Sequence, residues 1–237
     1  MKKKFVMLYS RGIEIYWRVL HAFKILRKRF FTLAVKGHVE LDSEFGFEEK
    51  LAEDRGYPAP DGKYYSKSYR LEWTQLPESV KTAIRNYDSV LRMYLGDGYL
   101  INKANVWRNY AIPQQYRNTE LFSQHWHYDK VKDYRNIQLF VLIADIDEDQ
   151  GPFEFISDPD EKNLIPTVHE RNNADHGHKT QRLTGKRGDT LLFSTGSTPH
   201  RAGVPKEGKH RDILSIAFFP AYTKIGFNSD QLLDDIK

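Results

Sequence analysis

Apolar side chains repeat with a helical period in two stretches of the first hundred residues. The apolar face of the first stretch, residues 13–35, comprises Ile13, Tyr16, Trp17, Leu20, Phe23 and Phe30. The second stretch starts at Pro77 and runs to about Tyr94, with apolar residues every three or four positions. This spacing is typical of amphipathic helices. We therefore predict two helices, separated by an irregular segment over residues 40–67 that is interrupted by prolines and glycine.

Beyond Tyr99 the pattern changes to short segments of β-branched and aromatic residues, bounded by Gly, Pro or Asp, as is typical of strands. The predicted strands are Leu100–Trp107, Phe122–Tyr128, Ile137–Ile146, Phe153–Ile156, Gln181–Leu183, Thr190–Ser194 and Ile213–Phe219. Helices followed by strands, without βαβ alternation, predict a mainly β sandwich or barrel with helices packed on one side. We expect a single domain over residues 1–237: a helical and irregular part (1–97), a β core (98–220) and a C-terminal tail (221–237).

Positive charge is concentrated at the N-terminus. Residues 1–36 carry ten basic residues and one acidic residue, a charge of +9, which leaves −5 for the remainder because the whole chain is +4. A basic helix over residues 13–35 either lies on an anionic membrane surface or packs on the domain with its basic side in solvent. The acidic remainder argues against nucleic-acid binding.

The composition also restricts the location and the chemistry. No apolar run is long enough to span a membrane, and the apolar stretch after the first lysines is too short for a signal peptide. We expect a cytoplasmic protein, with peripheral membrane contact as the alternative stated above. The chain has no cysteine, which excludes disulfides, thiolate metal sites, iron–sulfur clusters and cysteine nucleophiles.

A long polar segment, Asp158–Lys179, carries two prolines and three of the nine histidines. Loops of this length inside a compact domain are usually functional or disordered. We predict a mobile flap near the mouth of a site, with His176 and His178 as solvated flap residues.

The densest polar cluster within the predicted strands is Ser123–Asp129. On a strand, alternate residues share a face, so His125, His127 and Asp129 would point the same way. An imidazole and a carboxylate two residues apart can chelate one cation, and this pair without thiolate suits Fe(II), Mn(II) or Zn(II).

A third ligand must come from elsewhere in the chain. His200 follows the predicted strand Thr190–Ser194, in a turn rich in Gly and Pro, and Arg211 comes eleven residues later. Two His and one carboxylate form the facial triad of non-heme Fe(II) oxygenases, which leaves metal positions open for a 2-oxo acid and O2. The guanidinium fork of Arg211 suits the distal carboxylate of such a co-substrate.

These motifs resemble the phytanoyl-CoA dioxygenase-like branch of the Fe(II)- and 2-oxoglutarate-dependent oxygenases. The segment Gln124–Asp129 looks like the Gln-x-x-His-x-Asp pattern of that branch, and residues 149–156 look like its following Gly-containing strand. The resemblance covers roughly residues 98–220. It departs from the branch at 157–160, where Ser-Asp-Pro-Asp replaces the usual Pro-Gly-Ser-His turn, which predicts a different substrate.

The resemblance implies a double-stranded β-helix of the jelly-roll or cupin-like type, with Fe(II), 2-oxoglutarate and O2 as cofactor and co-substrates. It implies iron ligation by His127, Asp129 and His200. It also implies 2-oxoglutarate binding by Arg211, with Gln124 and Asn105 as further contacts. His125 fits the pattern less well than His127 as the first ligand, so we interpret it as a neighbouring or substrate-side residue.

The implied reaction is hydroxylation of an aliphatic C–H bond in a small, anionic or lipid-linked substrate, with release of succinate and CO2. No catalytic side chain beyond the metal ligands is required. Asp129 favours hydroxylation because related halogenases lack this carboxylate, although desaturation and ring formation stay open. Two alternatives are a non-catalytic β-barrel that binds a ligand or membrane, and a metal-dependent hydrolase or isomerase with the same three ligands.

Overall fold

A computed structural model describes residues 33–42, 45–47, 50–129, 136–157 and 180–220. The described helices are α1 (Glu78–Asn86) and α2 (Asp88–Leu95). The described strands are β1 (Ala34–His38), β2 (Glu53–Asp54), β3 (Ser66–Leu71), β4 (Leu100–Tyr110), β5 (Ile137–Leu142), β6 (Phe153–Phe155), β7 (Gln181–Leu183), β8 (Asp189–Ser194), β9 (His200–Ala202) and β10 (His210–Phe219).

The strands form two antiparallel sheets. The larger sheet has seven strands in the order β1-β8-β5-β10-β4-β3-β2, and the smaller has three in the order β7-β6-β9. The chain passes back and forth between the two sheets, as in a double-stranded β-helix or jelly roll. The predicted fold class is therefore confirmed, and strands from residues before 98 also join the larger sheet.

Successive residues of the central strands face opposite sides of the larger sheet, which gives two layers of side chains. On β10, Leu214, Ile216 and Phe218 face the helices, and the same core contains Val80, Ile84 and Leu91 from α1 and α2. The intervening residues of β10 face the smaller sheet, where Ile213 packs with Phe153, Phe155 and Phe193. The helices therefore cover one face of the large sheet and leave its other face for the interior between the sheets.

The second predicted helical stretch forms two short helices rather than one. The break falls at Tyr87, which lies between α1 and α2 and has a φ of −86° and a ψ of 0°. Its hydroxyl contacts the Thr190 hydroxyl at 3.1 Å, so this residue anchors the helices to β8. In the described residues, no helix is long and apolar enough to cross a membrane.

The N-terminal prediction is wrong at its end, because Ala34 and Val35 lie in β1 and pair with Phe193 and Leu192 of β8. Pairing with a buried strand overrides the local helical spacing there. The rest of the predicted helix over 13–35, and with it the proposed membrane contact, falls outside the described residues. The flap over Asp158–Lys179, with His176 and His178, falls outside them too.

Two strand assignments near the site also need correction. Phe122–Tyr128 does not form a strand, because only isolated bridge positions occur in it, at Trp126 and at His127, which bridges to His200. Residues 200–202, expected in a turn, form β9 and pair with β6. The side chains of the polar cluster Ser123–Asp129 therefore do not converge because they are alternate residues on one face of a regular strand.

Candidate metal site

Three side chains that could bind a metal converge between the two sheets. The ligand-type atoms of His127, Asp129 and His200 all lie within 4.8 Å of one another. Each imidazole Nε2 lies 3.6 Å from Asp129 Oδ1. The structure therefore brings together the three residues that the sequence assigned to the iron.

The backbone explains how residues so far apart in sequence meet. His127 and His200 are paired in an antiparallel bridge, with each N–H donating to the other residue's carbonyl at 3.0 and 3.1 Å. This pairing places the two rings 4.4 Å apart between their centroids. The Asp129 N–H donates to the Thr195 carbonyl at 3.2 Å, which fixes the third residue beside them.

Hydrogen bonds select the imidazole tautomer that a metal needs. His127 Nδ1 lies 2.7 Å from the His125 carbonyl oxygen, and His200 Nδ1 lies 2.8 Å from that of Thr198. A carbonyl oxygen can only accept, so each Nδ1 carries the proton and donates it. Each Nε2 is then left with a lone pair toward Asp129, the arrangement that orients metal-bound histidines.

The electrostatics of the cluster keep His127 and Asp129 in their metal-binding protonation states. Burial lowers the pKa of His127, and the neighbouring His200 lowers it further, so the ring is neutral at physiological pH. Desolvation acts to raise the pKa of Asp129. The closeness of the two imidazoles, each with its Nε2 3.6 Å from Oδ1, outweighs that effect and holds the pKa of Asp129 well below its usual range. Two imidazoles and one carboxylate fit a divalent first-row metal such as Fe(II).

Sequence reasoning missed a pair of residues that holds the Asp129 carboxylate. Gln138 Nε2 donates to Asp129 Oδ2 at 2.9 Å, and the Ser215 hydroxyl donates to Gln138 Oε1 at 3.0 Å. This chain occupies Oδ2 and leaves Oδ1 facing both histidines. Gln138 and Ser215 each lie on the inner face of a core strand, and a polar residue there among apolar neighbours was the available signal.

Arg211 lies in β10 with its guanidinium buried in the same interior. Its NH1 donates to the carbonyls of Gly151 at 2.6 Å and Gly203 at 3.2 Å, and its NH2 donates to Asn109 Oδ1 at 2.6 Å. Burial lowers the pKa of Arg211 to about 10, which still leaves it charged at neutral pH. In the described part of the chain no carboxylate forms an ion pair with it, although a buried charge needs a partner.

Two glycines allow the backbone to approach Arg211 this closely. A Cβ on Gly151, which has a φ of 65°, would lie 2.4 Å from backbone atoms of Val204 and Pro205. A Cβ on Gly203 would lie 2.3 Å from the Pro152 carbonyl oxygen. Only glycine fits these positions without displacing the backbone.

The cluster opens into a cavity of about 780 Å³ that lies between the sheets. His127, Asp129, His200 and Arg211 all line it, and so does Asn105, one of the predicted co-substrate contacts. Asn105 is paired across the sheet with Ser215. The side chains of the possible metal ligands and the buried cation of Arg211 therefore line one cavity.

The side-chain amide of Gln124 is hydrogen-bonded within its own loop. Its Oε1 accepts from the backbone N–H groups of Leu121 and Phe122 at 3.1 and 2.8 Å, and its Nε2 donates to the Thr119 carbonyl at 2.6 Å. The amide thus orders the loop before His127. Its contact with 2-oxoglutarate stays a prediction, as do the roles of Asn105 and Arg211. His125 contributes the backbone carbonyl that orients His127.

Comparison with known proteins gives structural but not sequence relatives. Neither a protein-family model nor a characterised protein sequence matches this chain. Among solved structures, it is similar to the epimerase SnoN, in a complex with Fe3+, α-ketoglutarate (2-oxoglutarate) and nogalamycin RO, with 13% identity, 82% of each chain covered and a TM-score of 0.52.

Two further solved structures are similar to the same extent. HygX from Streptomyces hygroscopicus, with nickel and 2-oxoglutarate bound, has 12% identity, 81% of this chain and 84% of its own covered, and a TM-score of 0.50. SnoK, an α-ketoglutarate-dependent carbocyclase of nogalamycin biosynthesis, has 9% identity, 82% of each chain covered and a TM-score of 0.52. The chain thus shares the fold of these non-heme enzymes.

Proposed function

We propose that this protein is an Fe(II)- and 2-oxoglutarate-dependent oxygenase that hydroxylates an aliphatic C–H bond of a small molecule. The observation that carries the proposal is the single cavity shared by the His127–Asp129–His200 cluster and the buried cation of Arg211. A metal-type triad alone fits several enzyme classes. A triad that shares its cavity with a buried arginine, which has no ion-pair partner among the described residues, fits a co-substrate that has an acid at each end.

The side chains have distinct tasks in this proposal. His127, Asp129 and His200 would hold the iron, and three protein ligands leave metal positions open for co-substrate and O2. Arg211 would bind the distal carboxylate of 2-oxoglutarate, held ready by Asn109 and two backbone carbonyls. When bound, iron, 2-oxoglutarate and O2 supply the oxidising chemistry that yields succinate, CO2 and a hydroxylated substrate.

The residues around the iron ligands would position and protect the reacting groups. Gln138 and Ser215 hold one oxygen of Asp129 away from the metal. Phe153 and Phe193 pack against the His200 ring at 5.5 and 5.6 Å between centroids, which limits water access on that side. No general base is needed, and the described lining offers no separate acid–base pair at the triad.

The structural neighbours support the co-substrate but leave the outcome of the reaction open, since they include an epimerase and a carbocyclase. Hydroxylation is supported by Asp129, which occupies the position that halide would need. Assignment to the phytanoyl-CoA dioxygenase-like branch is supported by the spacing of His127, Asp129, His200 and Arg211. The hydrolase alternative leaves the buried cation of Arg211 without a task.

The test is release of succinate from 2-oxoglutarate by the purified full chain, with Fe(II) in air and no added substrate. Many oxidations of this kind run slowly without substrate, so we expect succinate above the protein-free control. Asp129→Ala should remove both succinate release and Fe(II) binding, because one ligand and its charge are lost. The exposed Asp97→Ala is the matched control and should behave like wild type. Full turnover by Asp129→Ala would contradict the proposal.

A further inference from the structure

Carboxamide side chains are unusually frequent around the cavity. Five of the described lining residues carry one: Asn102, Asn105, Asn109, Asn136 and Gln138. Two of the five are already engaged, since Asn109 holds Arg211 and Gln138 holds Asp129. The other three contact neither the Asp129 carboxylate nor the Arg211 guanidinium, although Asn105 is also predicted from the sequence to contact 2-oxoglutarate.

These three amides lack partners within the described chain. No hydrogen bond joins the side chain of Asn102 or Asn105 to another described residue. Asn136 is 95% buried, and its Oδ1 has no hydrogen-bond partner there. A buried amide oxygen without a partner costs free energy, so such a group normally receives a ligand or an ordered water.

A β-bulge aims one of the three amides into the cavity. Ala217 of β10 pairs with Lys103 of β4, but Phe218 pairs with Ile101, so Asn102 is the extra residue of the bulge. Strict alternation from Asn105 would turn Asn102 to the helix-covered face. The bulge reverses this, and bulges commonly redirect side chains at functional sites.

Aromatic side chains provide flat surfaces on the same space. The described lining includes Tyr57, Trp107, Phe122, Phe140, Phe153 and Phe219. Trp107 lies two residues from Asn105 on the inner face of β4, and its cross-strand partner on β10 is Ile213. An indole ring beside amides offers both an apolar face and hydrogen bonds to a ring-shaped polar ligand.

Charged side chains give little support for the anionic or lipid-linked substrate predicted from the sequence. No lysine lines the cavity among the described residues. Arg55 is paired with Glu53 at 2.6 Å and donates to the Ser68 hydroxyl at 2.7 Å. Arg211 belongs to the co-substrate in the proposed function. An acyl-CoA ester would need several cations for its phosphates.

We propose that the substrate is a neutral, polyhydroxylated ring compound, a sugar or glycoside, held by Asn102, Asn105 and Asn136 against Trp107. The amide side chains both donate and accept, which matches hydroxyl groups that do the same. Asn105 pairs with Ser215 across the sheet, so the bound ring lies beside the Ser215–Gln138–Asp129 chain. This inference rests on the proposed function for the reaction but not for the binding.

The experiment is isothermal titration of the full chain with p-nitrophenyl glycosides of glucose, galactose, mannose and xylose. It is run with and without Ni(II) and 2-oxoglutarate, so that binding is measured without turnover. We expect at least one glycoside to bind more tightly than 4-nitroanisole, which has the same aryl ring but no hydroxyl groups. Lauroyl-CoA and laurate should bind more weakly than that glycoside.

Variants then locate the contact. Asn105→Leu should weaken glycoside binding about tenfold with little change in 4-nitroanisole binding, since it removes hydrogen bonds and keeps the branched shape and number of side-chain heavy atoms. Trp107→Leu should weaken both ligands, and Trp107→Phe should restore most of the loss. The exposed Asn86→Leu on α1 is the matched control and should have no effect.

Tighter binding of lauroyl-CoA or laurate than of every glycoside overturns the inference. So does equal binding of glycosides and 4-nitroanisole, or the absence of glycoside binding altogether. Succinate release without glycoside binding would overturn the substrate class alone. Glycoside binding without succinate release would uphold the substrate class and overturn the proposed reaction.

Discussion

Replacing Gln138 tests whether the carboxylate of Asp129 is held for the metal. Gln138→Met keeps the length of the side chain but removes the amide that donates to Asp129 Oδ2 at 2.9 Å. It also removes the oxygen that accepts from Ser215. Asp129 is then free to rotate, and both of its oxygens compete for the metal and for water.

The expected loss of metal affinity follows from the charge and the solvent exposure of Asp129 in its hydrogen bond with Gln138. A hydrogen bond to a charged group contributes about 1.5–3 kcal/mol, and loss of a residue that orients a ligand typically weakens metal binding about 10- to 100-fold. The Asp129 side chain is 29% exposed, so solvent replaces part of the lost interaction. We expect the lower end, about a tenfold weaker metal affinity.

The assay is anaerobic isothermal titration of the metal-free protein with Fe(II), repeated in air with Mn(II). Gln115→Met is the control, because it makes the same substitution at an exposed position away from the site. Ser215→Ala should give a smaller loss than Gln138→Met, because it removes only the outer hydrogen bond. Unchanged affinity in Gln138→Met, with the fold intact by circular dichroism, would refute the positioning role.

Three further predictions concern Arg211, its partner and His127. Arg211→Met should weaken 2-oxoglutarate binding about 10- to 100-fold and leave Fe(II) binding intact; equal loss of both would point to misfolding. Asn109→Asp should give Arg211 an internal carboxylate, so thermal stability rises while 2-oxoglutarate affinity falls; changes of the same sign would contradict this. The lowered pKa of His127 means that the unfolded chain takes up a proton near pH 6.5 that the folded chain refuses. The free energy of unfolding of the metal-free protein should therefore fall as the pH is lowered from about 7.5 to 5.5, and this fall should be smaller in His127→Phe. An equal fall in the wild type and in His127→Phe would exclude His127 as its cause.

The helices and strands were predictable from the sequence where the spacing of apolar residues matches the pattern of burial in the fold. The strands around Ile137–Leu142 and Phe153–Phe155 are apolar except for one polar residue each, and the burial of their apolar residues makes them visible in the sequence. β1 was hidden because Ala34 and Val35 continue a helical spacing, and only pairing with β8 decides their conformation. The Tyr87 break was hidden because the apolar spacing continues through it.

The site was predictable in its residues but not in its geometry. His127 and Asp129 were selected on the assumption of a regular strand, whereas a single bridge to His200 and a bond to Thr195 position them. No sequence motif includes Gln138, Ser215 or Asn109. Their roles arise from cross-strand register, which a sequence does not reveal without the pairing of β4, β5 and β10.

The central claim is that one cavity holds both Fe(II) and 2-oxoglutarate. The most direct measurement is an anaerobic titration of the Fe(II)-loaded protein with 2-oxoglutarate, followed by visible absorption, because a 2-oxo acid chelated to Fe(II) gives a charge-transfer band. We predict a band that saturates at one equivalent in the wild type. In His200→Ala it should be absent, and in Arg211→Met it should require much more 2-oxoglutarate. A wild-type protein that binds Fe(II) but gives no band, or a band that His200→Ala leaves unchanged, would contradict the account.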